Sequence, residues 1–190
     1  MIKTVKKIIS YIMVCVLFLS MCIPCEAAQT STATASDANA TTGFPQITST
    51  SAIIMDAQSG QIIYEKNSHT RQYPASITKI MTAYLAIKNG DLNSTITMSD
   101  AAVWGIDRNS SHIALDVGEE ISMSDALYAV MLMSANEAAW AIAEQVSGSL
   151  ENFVQLMNDT AQSLGCKDTH FTNANGLHDP DHYTTAYDMA

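Results

Sequence analysis

Apolar positions follow three different patterns along the 190 residues. From Ile8 to Ile23 they form a nearly continuous run, preceded by Lys3, Lys6 and Lys7 and followed by Pro24, Cys25 and the small pair Ala27–Ala28. A basic start, an apolar stretch and a junction of small residues predict an export leader over residues 1–28. The run approaches the ~20 residues that cross a bilayer, so an uncleaved anchor is the alternative. The small residues and the polar stretch behind them favour cleavage. A lipid-modified cysteine fits less well, because Met21 and Pro24 precede Cys22 and Cys25 where a small residue is needed. Residues 29–50 are rich in Ser, Thr and Ala with few large apolar side chains, and they read as a disordered spacer.

The second pattern is short and β-rich. Ser51–Asp56 and Gln61–Lys66 flank Ala57-Gln58-Ser59-Gly60, which predicts a hairpin. The third is helical. After Pro74, Ile77, Ile80, Met81, Tyr84 and Leu85 recur at helix spacing until Asn89-Gly90, and they predict one buried stripe. Leu92 to Glu120 holds no sustained period. A helix carrying Leu127, Val130, Met131 and Met133 starts at Ser122, with Asp125 completing a capping box. Glu137 to Val146 is helical again up to Gly148. Ser149 to Leu164 places Phe153, Leu156, Met157, Ala161 and Leu164 on one side, and Thr184 or Thr185 caps a last helix. The order is two strands followed by helices. A two-stranded ribbon is marginal alone, so residues 51–190 are expected to be one domain whose further strands lie beyond residue 190.

Charge narrows the partners. The chain carries −10, and without the leader's three lysines and Glu26 it keeps 6 basic and 18 acidic residues, or −12. Nucleic acid and anionic lipid are therefore disfavoured as ligands. Three of the four cysteines lie in the leader, leaving Cys166 with no internal disulfide partner and reading as a half-buried helix-end residue. His69, His112, His170, His178 and His182 show no metal-ligand spacing and read as exposed or loop residues. Trp104 and Trp140 read as core, with Trp104 near enough to Ser110-Ser111 to line a cleft. No metal and no cofactor is expected.

Two short motifs carry chemistry. Ser76-Ile77-Thr78-Lys79 opens the first helix, and residues three apart share a helix face. That face continues through Ala83 and Ala86, whose small side chains admit a close neighbour and limit water around Lys79. Desolvation lowers a lysine's pKa until it can take a serine's proton. An N-terminal serine and an exposed lysine would look the same in sequence. The second motif, Ser134-Ala135-Asn136, interrupts a helical run. It reads either as an ordinary capped connection or as a hydroxyl and an amide projected toward the first pair.

Together these segments resemble the D-alanyl-D-alanine carboxypeptidases among the low-molecular-mass penicillin-binding proteins. The resemblance rests on Tyr73-Pro74-Ala75-Ser76-Ile77-Thr78-Lys79-Ile80-Met81-Thr82 and on Ser134-Ala135-Asn136-Glu137-Ala138-Ala139. Met55-Asp56-Ala57, Asn109-Ser110-Ser111, Gly118-Glu119 and the run from His182 to Ala190 support it. It implies an α/β (α+β), β-lactamase/transpeptidase-like fold, a helical subdomain plus an antiparallel sheet of which the N-terminal hairpin is present here. It also implies that Ser76 is the nucleophile and Lys79 the base, that Ser134 relays the proton, and that Asn136 positions substrate and Lys79. The implied substrate is a peptidoglycan stem peptide ending in D-Ala-D-Ala, with β-lactams as inhibitors and no nucleic-acid partner. The implied location is outside the cytoplasmic membrane, with room for membrane attachment by a later region. Two departures stand out. The family's Lys-Thr-Gly motif does not occur, so this stretch alone is expected to be inactive. In addition, Asn175 stands where the family often has a histidine, so no role is carried to it or to His178. A class A β-lactamase is the rival, disfavoured by Ala135 and by the lack of a glutamate after Glu151. A non-catalytic wall-binding or sensor module is disfavoured by the joint presence of Ser76, Lys79, Ser134 and Asn136.

Overall fold

A computed structural model of the chain describes residues 46–190. The leader and most of the spacer read from the sequence lie outside the described residues. The expected hairpin forms from β1 (Ala52–Met55) and β2 (Ile62–Lys66), paired antiparallel with Ala52 opposite Lys66 and a bulge after Ile54. Its turn is closed by the Asp56 carboxylate, which accepts from Ser59 N at 2.8 Å and Ser59 Oγ at 2.6 Å. Gly60 supplies the positive φ of 70° that completes the turn. Preceding residues run along this hairpin: Lys66 Nζ donates to the carbonyls of Ile47 and Ser49 at 3.0 and 2.8 Å.

A 3₁₀ turn (Ala75–Ile77) leads into α1 (Thr78–Asn89). After it come β3 (Thr95–Thr97), α2 (Asp100–Trp104), β4 (Glu120–Ser122), α3 (Met123–Met133), α4 (Asn136–Ser147), α5 (Leu150–Ser163) and α6 (Ala186–Met189). The strands β3 and β4 form a second antiparallel pair that the sequence reading did not anticipate. Each is three residues long, and in β3 Ile96 is the single buried side chain, too little to set a period. Capping follows expectation where the signal is local. The Ser122 hydroxyl accepts from Asp125 N at 3.0 Å and donates to Asp125 Oδ2 at 2.7 Å, and the Thr185 side chain accepts from Asp188 N.

The interior is organised by α4. Its Ala138, Ala139, Ala141, Ile142 and Ala143 are all buried, and α1, α3 and α5 pack around it. One core cluster joins α4 to Ile96, Met98, Val103, Met123 and Val130; another joins Leu85, Phe153, Met157 and Phe171.

Because α4 presents alanines, α1 approaches it through small and polar residues, and Thr78, Lys79, Thr82, Ala83 and Ala86 are buried. The predicted stripe is therefore only half right. Met81 and Leu85 join the core, while Ile77, Ile80 and Tyr84 face outward with 40–54% exposure. On α3, Val130 is buried but Met131 and Met133 are exposed, as is Leu164 after α5. Trp104 is 62% exposed with the Arg108 guanidinium over its ring, which corrects its reading as core; Trp140 packs on the core through part of its surface.

Ile54, Ile62 and Ile63 of the hairpin are likewise exposed. Apolar faces on both α1 and the hairpin suit the further strands that the sequence reading expects. Residues 29–190 made alone should accordingly bind a hydrophobic dye and elute as aggregates, while a chain carrying additional strands should elute as a monomer. A monomeric, dye-silent 29–190 would show that these faces need no cover.

Candidate active site

Ser76 sits in the 3₁₀ turn, exposed to solvent, one turn before the buried Lys79. Ala75 beside it takes a φ of 48°, a conformation that costs a non-glycine residue ~1–3 kcal/mol. Gly176 fixes this turn from the other side. A Cβ built there would lie 1.9 Å from the Ala75 carbonyl oxygen, and Gly176 itself has a φ of 84°.

The Lys79 ammonium is 3% exposed and meets three oxygens, matching its three donors. These are Asn136 Oδ1 at 2.7 Å, the Asn175 carbonyl at 2.6 Å and Ser76 Oγ at 3.3 Å. Burial lowers its pKa from 10.5 to about 8, with the Glu137 carboxylate acting in the opposite direction. Near neutral pH far more of Lys79 is then neutral than of an ordinary lysine.

The expected break after α3 is present. Ser134 adopts the left-handed conformation (φ 57°, ψ 33°), and its hydroxyl donates to Ser76 Oγ at 2.9 Å. Two residues on, Asn136 opens α4 and is held at three points. Its Oδ1 accepts from Lys79, its Nδ2 donates to Ser110 Oγ at 2.8 Å, and its backbone N–H donates to the Ser111 carbonyl at 3.0 Å. The four residues picked out by sequence thus converge within a few ångströms, with Ser76 bonded to both Lys79 and Ser134. Such an array can take a proton from a serine hydroxyl and pass it on through a second hydroxyl.

Several participants were missed. The 173–177 loop reaches Lys79 through the main-chain carbonyl of Asn175, while that residue's side chain turns away to accept from Leu177 N at 3.0 Å. Thr82 Oγ1 donates to the Ala174 carbonyl at 2.6 Å, tying the same loop to α1. The sequence offers no signal for a carbonyl contact. Glu137, fully buried next to Asn136, passed as an ordinary helix residue.

His182 corrects its reading as an exposed or loop residue in burial: it is 2% exposed. Its Nδ1 accepts from Thr172 N at 3.0 Å, so Nε2 carries the proton and donates to Thr78 Oγ1 at 2.7 Å. The other four histidines are exposed or half-buried. Among the described residues, no group of three His, Cys, Asp or Glu could hold a metal ion.

Burial pushes the His182 pKa down from 6.5 to about 4. On acidification the unfolded chain therefore takes up this proton first. The stability that neutral His182 contributes is complete above about pH 6.5 and is lost as pH falls to about 4, amounting to about 3 kcal/mol. The melting temperature of the full-length protein should drop across this window, and His182→Gln should flatten the drop; equal slopes in both proteins would exclude His182 as the cause. Gly176→Ala should cost at least about 2 kcal/mol through the forced φ and the backbone clash, and should slow reactions at Ser76. Unchanged melting and reactivity would mean that the 173–177 loop can shift freely.

The model of the D-alanyl-D-alanine carboxypeptidase family matches residues 36–190. The chain is 43% identical over 154 residues to the D-alanyl-D-alanine carboxypeptidase DacA of Haemophilus influenzae, covering 77% of this chain and 38% of that protein. It is 41% identical over 143 residues to the D-alanyl-D-alanine carboxypeptidase DacF of Bacillus subtilis, covering 74% and 36% respectively. Among solved structures it is similar to penicillin binding protein 5 from Haemophilus influenzae, with a TM-score of 0.74, 40% identity, and coverage of 78% of this chain and 45% of that one. The chain spans less than two-fifths of the length of these two curated relatives. On the family match and the shared fold, the chain belongs to the D-alanyl-D-alanine carboxypeptidase family.

Proposed function

We propose that this chain supplies the nucleophile and base of a serine-type D-Ala-D-Ala carboxypeptidase that trims peptidoglycan stem peptides outside the cytoplasmic membrane. The observation that carries this reading is an exposed Ser76 hydroxyl bonded to a desolvated Lys79 and to Ser134. Ser76 Oγ attacks the carbonyl of the penultimate D-Ala while neutral Lys79 accepts its proton. The Oγ–C bond forms, and the carbonyl oxygen becomes an oxyanion facing the Ser76 N–H at the start of the helix. The proton then passes by way of Ser134 to the leaving amine, the C–N bond breaks, and D-Ala departs. Water then attacks the acyl carbonyl while Lys79 takes its proton, the C–Oγ bond breaks, and Lys79 returns the proton to Ser76 Oγ as the shortened peptide leaves. Asn136 holds Lys79 and the substrate backbone in register. The substrate carboxylate and the second wall of the cleft fall to further strands of the sheet.

Penicillin treatment of the full-length protein should leave a covalent adduct on the tryptic peptide containing Ser76, read by mass spectrometry. An adduct on Ser134 instead, or none, would sink the assignment. Lys79→Arg keeps a charge that cannot lose its proton near neutrality, so acylation should fall by about a hundredfold or more in a folded protein. Asn136→Ala should lower it less. Because Lys79 must be neutral, the acylation rate should rise with pH, levelling off above about 8. Near wild-type acylation by Lys79→Arg would place the base elsewhere.

A further inference from the structure

Glu137 is 0% exposed; its Oε1 accepts the Ile113 N–H at 2.7 Å, and its Oε2 has no hydrogen-bond partner. A glutamine could accept the same bond without burying a charge, which is strongly unfavourable unless compensated. The hydrogen bonding therefore does not by itself call for a carboxylate at this position. Among the described residues, Lys79 is the other buried residue with a formal charge at neutral pH. The two are joined through Asn136, which precedes Glu137 on α4 and accepts from Lys79. Glu137 also reaches that asparagine by a second route. The 109–113 segment it anchors at Ile113 carries Ser110 and Ser111, both of which bond Asn136.

We propose that Glu137 is a positioning residue of this site, anchoring the 109–113 segment that clamps Asn136 and supplying the buried negative charge that balances the Lys79 ammonium. The proposal deepens the reading of Lys79 as the proton acceptor and rests on it. When Ser76 gives up its proton, the ammonium forms in a place nearly closed to water, and Glu137 stabilises it. The Glu137 carboxylate is also what opposes the loss of basicity that burial imposes on Lys79. Other titratable groups on the surrounding elements are solvated: Lys88 on α1, Asp100 on α2, Arg108 and His112 between α2 and β4, Asp125 on α3, and Glu151 and Asp159 on α5 are exposed or half-buried. His182 is buried but neutral, facing Thr78.

The test uses the full-length protein with Glu137→Gln, which retains the Ile113 bond. Lysine ¹³Cε NMR follows the Lys79 titration, and a fluorescent penicillin follows Ser76 acylation from pH 5.5 to 10. The Lys79 midpoint should fall by about one pH unit, the acid limb of acylation should move down with it, and the plateau should drop severalfold. Glu137→Asp should restore the wild-type limb. A folded Glu137→Gln protein with midpoint and limb unmoved overturns the proposal. Thermal melting supplies a readout that needs no activity. Lys79→Met strands the carboxylate, so Lys79→Met with Glu137→Gln should melt higher than Lys79→Met alone; an equal or lower melting temperature overturns the charge balance. Failure of Ser76 to label in the wild type would sink the functional reading, yet the NMR and melting results would still judge Glu137.

Discussion

A lysine ammonium removed from water governs this structure. Lys79 lies 3% exposed among three oxygens, and each of those oxygens constrains a different part of the chain. Asn136 must begin α4 where α1 passes, which requires the helical run to break at Ser134. The Asn175 carbonyl must point inward, which requires the tight 173–177 loop. Ser76 must stand one turn ahead on the same face. The alanines of α4 follow from the same demand, since a bulkier helix would hold α1 away and let water reach the amine.

The fold tolerates local backbone cost around this point. Ala75 and Ser134, both next to or at the reacting hydroxyls, occupy the left-handed region without being glycine. Such residues persist when the surroundings over-determine them. Gly176 pressed on one side, and the bonds to Ser134 and Lys79 on the other, do that for the Ser76 turn. The cross-brace from Thr172 through His182 to Thr78 fixes the loop that bears the carbonyl to the helix that bears the amine.

What the sequence disclosed and what it concealed divide along the range of the interactions. Ser76 with Lys79 and Ser122 with Asp125 are three residues apart, so spacing alone exposes them. The hairpin is nearly as local. β3 and β4 meet across more than twenty residues with one central apolar residue each, and no periodicity announces such a pairing. The outward turn of Ile77, Ile80 and Tyr84 was misread because hydrophobic size was taken as the guide to burial. Contact with an alanine-lined helix selected small residues for the inner face instead. His182 and Glu137 have ordinary sequence neighbours, and only tertiary placement makes them buried ionisable groups.

Contact through the Asn175 main chain changes how this part of the protein can evolve. A peptide carbonyl is present whatever the residue, so a substitution at position 175 keeps an oxygen on Lys79 and loses only the side-chain bond to the Leu177 N–H. Its neighbour has no such latitude, because any side chain at Gly176 would collide with Ala75. Two adjacent positions of one loop thus serve Lys79 differently, the first through a main-chain atom that any residue carries and the second through the lack of a side chain.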